Sequence, residues 1–336
     1  MRIGIAYDLA PGELPPGAPD DLYEEFDKPS TIDAIAAVLR DEGHSVQRLG
    51  NGPALVRALV DDPPDFVWNL AEGQGVGRSR EARVPALLEL LNIPYSGSDP
   101  FALAVSLDKS ATKCLVEGGG VIAPGGLCVP AALDRREIDT LLGVGLSPSD
   151  FPVIVKPALE GSSKGIRGKS IAFTIEAAAQ LAFDLARTYI QPILVEPFIA
   201  GDEVTVGLVG NGPDLQVLGA MRVVPNVDDP LFVYSLDVKR DWRRMVRYEA
   251  PAVLADDVRE RLFAASRAVF ERLGCRDLAR VDFRVRDGVP YFLEINPLPG
   301  LAPETSDLIL LAEGHGLSHA DLIRSILKAA LSRLPL

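Results

Sequence analysis

LARVDFRVRDGVPYFLEINPLPG, residues 278–300, reads as two strands joined by a tight turn. Alternating apolar positions flank Asp287-Gly288, and an Asp-Gly pair in that setting is a strong hairpin signal because the favoured turn needs positive φ at both central residues. Side chains on a strand repeat every two residues, so Arg280 and Asp282 share one face of the first strand, and Glu294 and Asn296 share one face of the second. Pairing through the turn then gathers Asp282, Glu294 and Asn296, with Arg280 beside them. Three oxygen donors without His or Cys are hard-ligand chemistry, suited to Mg2+ shared with phosphate oxygens. Edge-strand charges facing water would show the same alternation, and spacing alone leaves both readings open.

Upstream, VIVKPALEGSSKG (153–165) delivers Lys156 at the end of a buried strand and follows it with a loop carrying Gly161, Ser162, Ser163, Lys164 and Gly165. A lysine beside closely spaced N–H and hydroxyl donors can neutralise and hold a polyphosphate. An ordinary loop with an exposed lysine is the plain alternative. Two other glycine-rich runs are decoys. Residues 163–170 miss the G-x-x-x-x-G-K-[ST] pattern because Ser163 stands where its first glycine is required, and a strand, not a helix, is predicted after Ser170. GQGVG (73–77) has its third glycine one residue early for a dinucleotide fingerprint and lacks a ribose-binding acid at the expected distance.

The chain as a whole has 336 residues, 47% hydrophobic and 24% charged, which argues against a disordered, collagen-like or coiled-coil protein. That length suits roughly two domains or one multi-lobed unit. Lysine and arginine total 34 against 47 acids, and the net charge of −13 disfavours nucleic acid as the main partner. Apolar stretches such as 136–149 and 190–201 are interrupted well short of the roughly 20 residues a spanning helix needs. The opening MRIGIAYDLAPGE does not match a secretory signal, so a cytoplasmic protein is expected. Cys114, Cys128 and Cys275 form no CxxC pair, and no disulfide framework is expected. His44, His315 and His319 offer zinc little; the last two read as solvated loop residues, with Gly314, Gly316 and the helix cap Ser318 around them.

From residue 1, RIGIAY, TIDAIAAVLRDEG, HSVQRL, a helix near 53–60, DFVWNL and a helix near 81–92 alternate as βαβ units of a parallel sheet. NIPYSGSDP (92–100) marks a boundary, and the Gly/Pro-rich stretches 118–130 and 143–152 read as connections. Further on come a helix over 174–189, the strand ILVEPFI, and EVTVGLVGNGPDLQVLGAMRVVP, which alternates about the hairpin signal Asn211-Gly212. Segment 226–249 carries Lys239, Arg240, Arg243, Arg244 and Arg247 and is too long for a simple connection, so it is either a functional loop or a solvated basic face. A helix over 255–273 leads to the hairpin, and two helices close the chain.

The succession SLDKSATK (106–113), VIVKPALEGSSKG (153–165), LVEPFIAGDEVTV (194–206), ARVDF (279–283) and EINPLPG (294–300) resembles the ATP-grasp superfamily, and most closely D-alanine:D-alanine ligases and their relatives. The resemblance runs from about residue 84 to the C-terminus. It implies an α/β, three-lobed ATP-grasp fold: an N-terminal βαβ (pre-ATP-grasp) lobe over 1–109 on the substrate side, a central lobe over 110–190, and a C-terminal lobe over 191–336. ATP and two Mg2+ ions, for which Mn2+ could substitute, are the cofactors it implies. In that family pattern Lys109 and Lys156 contact the ATP phosphates, Ser162 and Ser163 lie in the loop that closes over them, and Glu196 is the adenine-side acid. Phe198 and Ile199 supply apolar and main-chain contacts and Glu203 the ribose ligand. Asp282, Glu294 and Asn296 correspond to the Mg2+ ligands. Arg280 and the main chain at Gly300 would stabilise an oxyanion, and Lys239 in the ω-loop 226–249 would reach the γ-phosphate, with that loop as a lid.

The departures lie on the amino-acid side. The family's N-terminal glycine-rich segment, whose Glu holds the first substrate's amino group, is replaced by AYDLAPGELPPGAPDDLYEEFDKPS, where Glu24, Glu25 or Asp27 would have to substitute. The LHG segment becomes NLAEGQGVGRSRE, Arg240 stands for the ω-loop tyrosine, and Thr305-Ser306 stands for the terminal Ser-Leu that holds the second carboxylate. Arg240, with Arg243 or Arg244, would either pair with an acidic or extended substrate or only close the lid. The expected activity is therefore an ATP-dependent carboxylate-amine ligase acting through an acyl phosphate on substrates other than two D-alanines. True D-alanine:D-alanine ligation is the runner-up, and an inactive ATP-binding module a further alternative. The expected partners are small-molecule carboxylates and amines, amino acids foremost; a homodimer is left open, and no membrane partner is expected.

Overall fold

The computed structural model describes residues 1–334. Strands β1 (Arg2–Tyr7), β2 (Ser45–Gly50) and β3 (Phe66–Leu70) form a parallel sheet in the order β2-β1-β3. Parallel neighbours need crossovers, and helices Pro29–Asp41 and Gly52–Asp61 provide them. Every residue of β3 is buried, as befits a strand covered on both faces.

The second sheet is antiparallel, with β4 (Leu127–Val129), β5 (Val153–Pro157), β6 (Ile171–Ala172) and β7 (Ile193–Pro197) in the order β4-β7-β5-β6. Helices Arg135–Gly145 and Ile175–Tyr189 place Ile138, Leu142, Ala178 and Ala182 against Val129, Val153 and Val155 to make its core. Alanines dominate the buried stripe of the second helix and let it approach the sheet closely.

The third sheet, also antiparallel, contains β8 (Asp202–Val209), β9 (Gln216–Pro225), β10 (Val246–Glu249), β11 (Leu278–Arg286) and β12 (Val289–Asn296), ordered β10-β9-β8-β11-β12. The β11-β12 hairpin turns on Asp287 (φ 51°) and Gly288 (φ 74°), both in the left-handed region that its two-residue turn requires. Arg280 stands opposite Asn296 and Asp282 opposite Glu294. A bulge after this pair brings Phe283 against Phe292, ring centroids 6.1 Å apart, on the opposite face toward the core.

The sequence expectations fail locally in four places, the first being 118–130, expected as a connection, which ends in strand β4 paired with β7. Asn211-Gly212 does not make a two-residue turn: β8 and β9 are joined by 210–215 with a 3-10 turn at Gly212–Asp214, because the Asn211 side chain is engaged by Asp277. Segment 226–249 is not loop throughout, since its end is β10, paired with β9, and its middle holds short helices at Leu236–Arg240 and Trp242–Met245. The histidines His315 and His319 are half-buried rather than solvated, each ring lying 3.1 Å from a main-chain carbonyl, of Ala220 and Leu301 respectively.

One core crosses the lobes. Leu308, Leu322, Ile323 and Ile326 of the closing helices Asp307–Gly314 and His319–Leu331 pack with Ile3, Ile5, Phe66 and Trp68 of the first sheet. Among the described residues no helix is long and apolar enough to cross a membrane.

Candidate active site

The second and third sheets face one another across a cleft walled by Ile154, Lys156, Glu196, Phe198, Ile199, Glu203, Asp282 and Glu294. Lys156 is the penultimate residue of β5 and Glu196 lies on β7; Ile154 pairs with Glu196, and Lys156 Nζ lies 2.7 Å from Glu196 Oε1. Lys113, one helical turn beyond Lys109 on helix Lys109–Glu117, binds the other oxygen of Glu196. Burial acts to raise the Glu196 pKa, and the two lysines outweigh it and hold the carboxyl below its usual range. Glu203 pairs with Arg284 at 2.9 Å, and that guanidinium lies 5.2 Å from the Phe198 ring centroid.

At the floor, Lys109 Nζ is 2.9 Å from Glu294 Oε2 and also donates to the Glu160 carbonyl. Burial would raise the pKa of Glu294, but Lys109 and Lys156 hold it down to about 2. Asp282 accepts from Arg280 NH2 at 2.9 Å, from Asn296 Nδ2 at 3.1 Å and from Thr205 Oγ1. Among the described residues no group of three or more His, Cys, Asp or Glu side chains forms a metal site by itself. Two carboxylates and one amide, all hard donors in register, suit a cation that takes its remaining oxygens from phosphate and water, which is the habit of Mg2+.

A second cavity adjoins the first, and Glu294 lines both. Its walls include Glu25, Glu72, Glu81, Lys109, Glu160, Ser162, Arg280, Asn296 and Gly300. Ser162 and Ser163 have φ of 48° and 59°, left-handed values that hold the loop after β5 in a sharp bend. Ser163 Oγ donates to the Tyr234 carbonyl at 3.0 Å, and Leu236 N to the Ile166 carbonyl at 3.1 Å, so segment 226–245 lies closed against this loop. Lys239 of that segment lines the cleft, 3.7 Å from Asp307 Oδ2 and 4.8 Å from the Tyr234 ring centroid.

Several candidates stand elsewhere. Arg240 lines neither cavity but binds Asp20 and Glu24, each at 2.6 Å, tying segment 226–245 to the N-terminal segment. Arg243 lies over Trp242, and Arg244 pairs with Asp241. Glu24 is therefore held by Arg240, while Asp27 pairs its backbone with Asp8 and lines neither cavity. Burial and then the nearby Asp8 lift the Asp27 pKa to about 7. Thr305 is exposed, and Ser306 Oγ accepts from Ala302 N at 2.9 Å, so both belong to the turn and not to a cavity wall. Of the N-terminal acids only Glu25 lines the second cavity.

Four contributors escaped the sequence reading. Lys113 carried a signal, its spacing of four from Lys109, whereas Glu72, Arg80 and Glu81 sit in a loop whose glycines suggested only backbone freedom. Arg80 is 2% exposed and donates to Glu25 at 2.8 and 2.9 Å and to the Leu159 carbonyl at 2.6 Å. It joins the first lobe to the loop after β5.

A family model described as the D-ala D-ala ligase C-terminus matches residues 142–328. The chain is 34% identical over 275 residues to a D-alanine–D-alanine ligase of Coprothermobacter proteolyticus, covering 81% of this chain and 84% of that protein. It is 31% identical over 300 residues to a D-alanine–D-alanine ligase of Aquifex aeolicus, covering 88% and 92%. The crystal structure of a D-alanine–D-alanine ligase from Bacillus anthracis complexed with ATP is similar with a TM-score of 0.72 at 23% identity, across 99% of this chain and 97% of that one, a likeness of fold.

Proposed function

The chain belongs to the D-alanine–D-alanine ligase family, and from that premise we propose that it joins two D-alanine molecules, with ATP converted to ADP and phosphate. It is an ATP-dependent ligase that forms a C–N bond between a carboxylate and an amine, with ATP and Mg2+ as cofactors. The replaced substrate-side motifs argue for other substrates, but two observations weigh toward D-alanine. Relatives at 34% and 31% identity bear that name across 81% and 88% of the chain. Arg240 and Ser306 also have partners within the chain that account for them without a new substrate.

The observation that carries the reading is that Glu294 lines both cavities. It would stand where a nucleotide in the cleft meets a carboxylate in the second cavity. A carboxylate is a poor electrophile, so it must first accept the γ-phosphoryl group as an acyl phosphate. The second molecule's amine then attacks the acyl carbon, the bond to phosphate oxygen breaks, and the amine proton leaves. Lys109, Lys156 and Lys239 would bind and align the phosphates, while Arg280 N–H groups and the main chain at Gly300 would face the oxyanion. Mg2+ held by Asp282, Glu294 and Asn296 would supply charge neutralisation during phosphoryl transfer. Segment 226–245, closed against the serine loop, would exclude the water that otherwise hydrolyses an acyl phosphate.

The test is ADP release across D- and L-amino acids, with the product identified by mass. D-Alanyl-D-alanine as the main product supports the reading. A better product from other amino acids, with little ADP from D-alanine, would overturn it.

A further inference from the structure

This inference rests on the ligase reading above and concerns what holds the first amino acid. Of the residues lining the second cavity, Arg280, Asn296 and the main chain at Gly300 suit the carboxylate to be activated. The α-ammonium of the same molecule is attached one carbon away and must find its counter-charge on the remaining walls, which carry Glu25, Glu72, Glu81 and Glu160.

Two of these four acids are already matched. Glu25 accepts from Arg80, from Gly161 N at 2.6 Å and from Lys164 at 3.2 Å. Glu160 accepts from Lys164 at 2.5 Å and from Gln191 at 2.6 Å. The other two are not. Glu81 is 7% exposed and makes no side-chain hydrogen bond among the described residues; its nearest cation is Arg80 at 3.9 Å, whose guanidinium is directed to Glu25 and the Leu159 carbonyl. The Glu72 side chain has neither a hydrogen bond nor an ion pair among the described residues. Burial lifts Glu81 to about 8 against the pull of Arg80, and burial and then Glu81 lift Glu72 well above the usual carboxylate range. Buried Glu81 left in this state is costly unless a proton or a cation arrives, and half-buried Glu72 adds a second unmatched carboxylate.

We propose that Glu72 and Glu81, on the connection between β3 and helix Arg83–Leu90, hold the α-ammonium of the carboxyl-donating amino acid. They do so in place of an acid from the N-terminal segment, where Glu24 is bound by Arg240 and Glu25 is saturated by Arg80, Gly161 and Lys164. The ligand class follows: a small α-amino acid with a protonated amine. A carboxylate without one leaves the pair unmatched and is rejected.

The experiment is ADP release by the unsubstituted enzyme, Glu81→Gln, Glu72→Gln and Glu81→Asp, with D-alanine as substrate and propionate, which lacks the amine, as competitor. The expected result is a rise of about tenfold in the amino-acid KM of both Gln variants, with the KM for ATP moving less than about twofold and propionate inhibiting as well as or better than in the unsubstituted enzyme. Glu81→Asp should recover part of the loss. A structural role would shift propionate and D-alanine together, and that outcome overturns the proposal, as does an amino-acid KM that stays within about twofold in both Gln variants. Retention of the thermal shift produced by an ATP analogue checks folding. Should Glu81→Gln fail that check, Glu72→Gln decides. An unsubstituted enzyme that uses another amino acid and not D-alanine overturns the reading of the previous subsection alone; the same KM split, measured with that amino acid and its des-amino counterpart, then decides this one.

Discussion

Glu294 faces two buried lysines from separate elements, and its charge follows from them. Burial favours the neutral acid, but Lys109 and Lys156 hold its pKa at about 2, so it is ionised throughout the working range. Glu294→Gln keeps the shape and removes the charge; turnover measured as ADP release should fall by roughly a hundredfold or more while the circular dichroism spectrum stays native. The same residue makes a pH prediction. Its folded pKa lies below the ordinary value of 4.5, so its contribution to stability is present above about 4.5 and is lost as pH falls toward 2. The stability difference between wild type and Glu294→Gln, read by urea unfolding without nucleotide, should therefore be full at neutral pH and shrink across that window; a difference that grows on acidification would reverse the assignment. That Asp282, Glu294 and Asn296 share one face of the hairpin was legible from strand periodicity, and Lys156 stood out by its place near the end of a buried strand before the Gly/Ser loop; their roles came only from the resemblance. The place of Arg240 was not legible, because its partner Glu24 lies 216 residues away and no local pattern encodes that meeting.

Segment 226–245 shows how an element is held by contacts that are individually weak. Arg240 is 38% exposed and Asp20 61%, and exposed pairs of this kind are worth about 0–1 kcal/mol each. Their effect comes from linkage. Asp20 is shared by Arg240 of the lid and Arg167 of the loop after β6's partner strand, and Arg167 also reaches Asp237, so the N-terminal segment, the loop 158–170 and the lid close on one another. Arg240→Ala should leave the melting temperature within a few degrees but loosen closure, so that ADP forms in excess over dipeptide as water reaches the acyl phosphate. Measuring ADP and dipeptide in one reaction checks this, and an unchanged one-to-one ratio would show that Arg240 does not govern the lid. Element types were readable where turn chemistry and periodicity agreed, as at Asp287-Gly288. They misled at Asn211-Gly212, where a distant acid claims the asparagine, and at β10, where a polar stretch becomes a strand only because the edge of β9 lies beside it.

At the scale of the molecule, one buried acid joins the end of the first lobe to the third sheet and the chain's closing segment. Asp277, fully buried at the entry to β11, accepts from Gly97 N at 2.7 Å, from Asn211 Nδ2 at 2.9 Å, and from Arg333 at 2.7 and 2.8 Å. Those partners come from the end of the first lobe, the β8-β9 connection and the C-terminus of the chain. Ile3, Phe66, Leu322 and Ile326 share one core, so the first sheet and the closing helices are expected to unfold together. The lobe order could be read from the motifs, whereas this joint could not, since its four members are scattered along the chain. Asp277→Asn retains size but replaces an anion that accepts four hydrogen bonds with an amide that can accept fewer, and it leaves the Arg333 guanidinium without its counter-charge. Removing one partner of a buried charged network costs about 3–5 kcal/mol. The variant should therefore lose stability on that order in urea unfolding, in a single transition seen equally by fluorescence and by circular dichroism. Two separated transitions would show instead that the lobes fold independently and that Asp277 only decorates their contact.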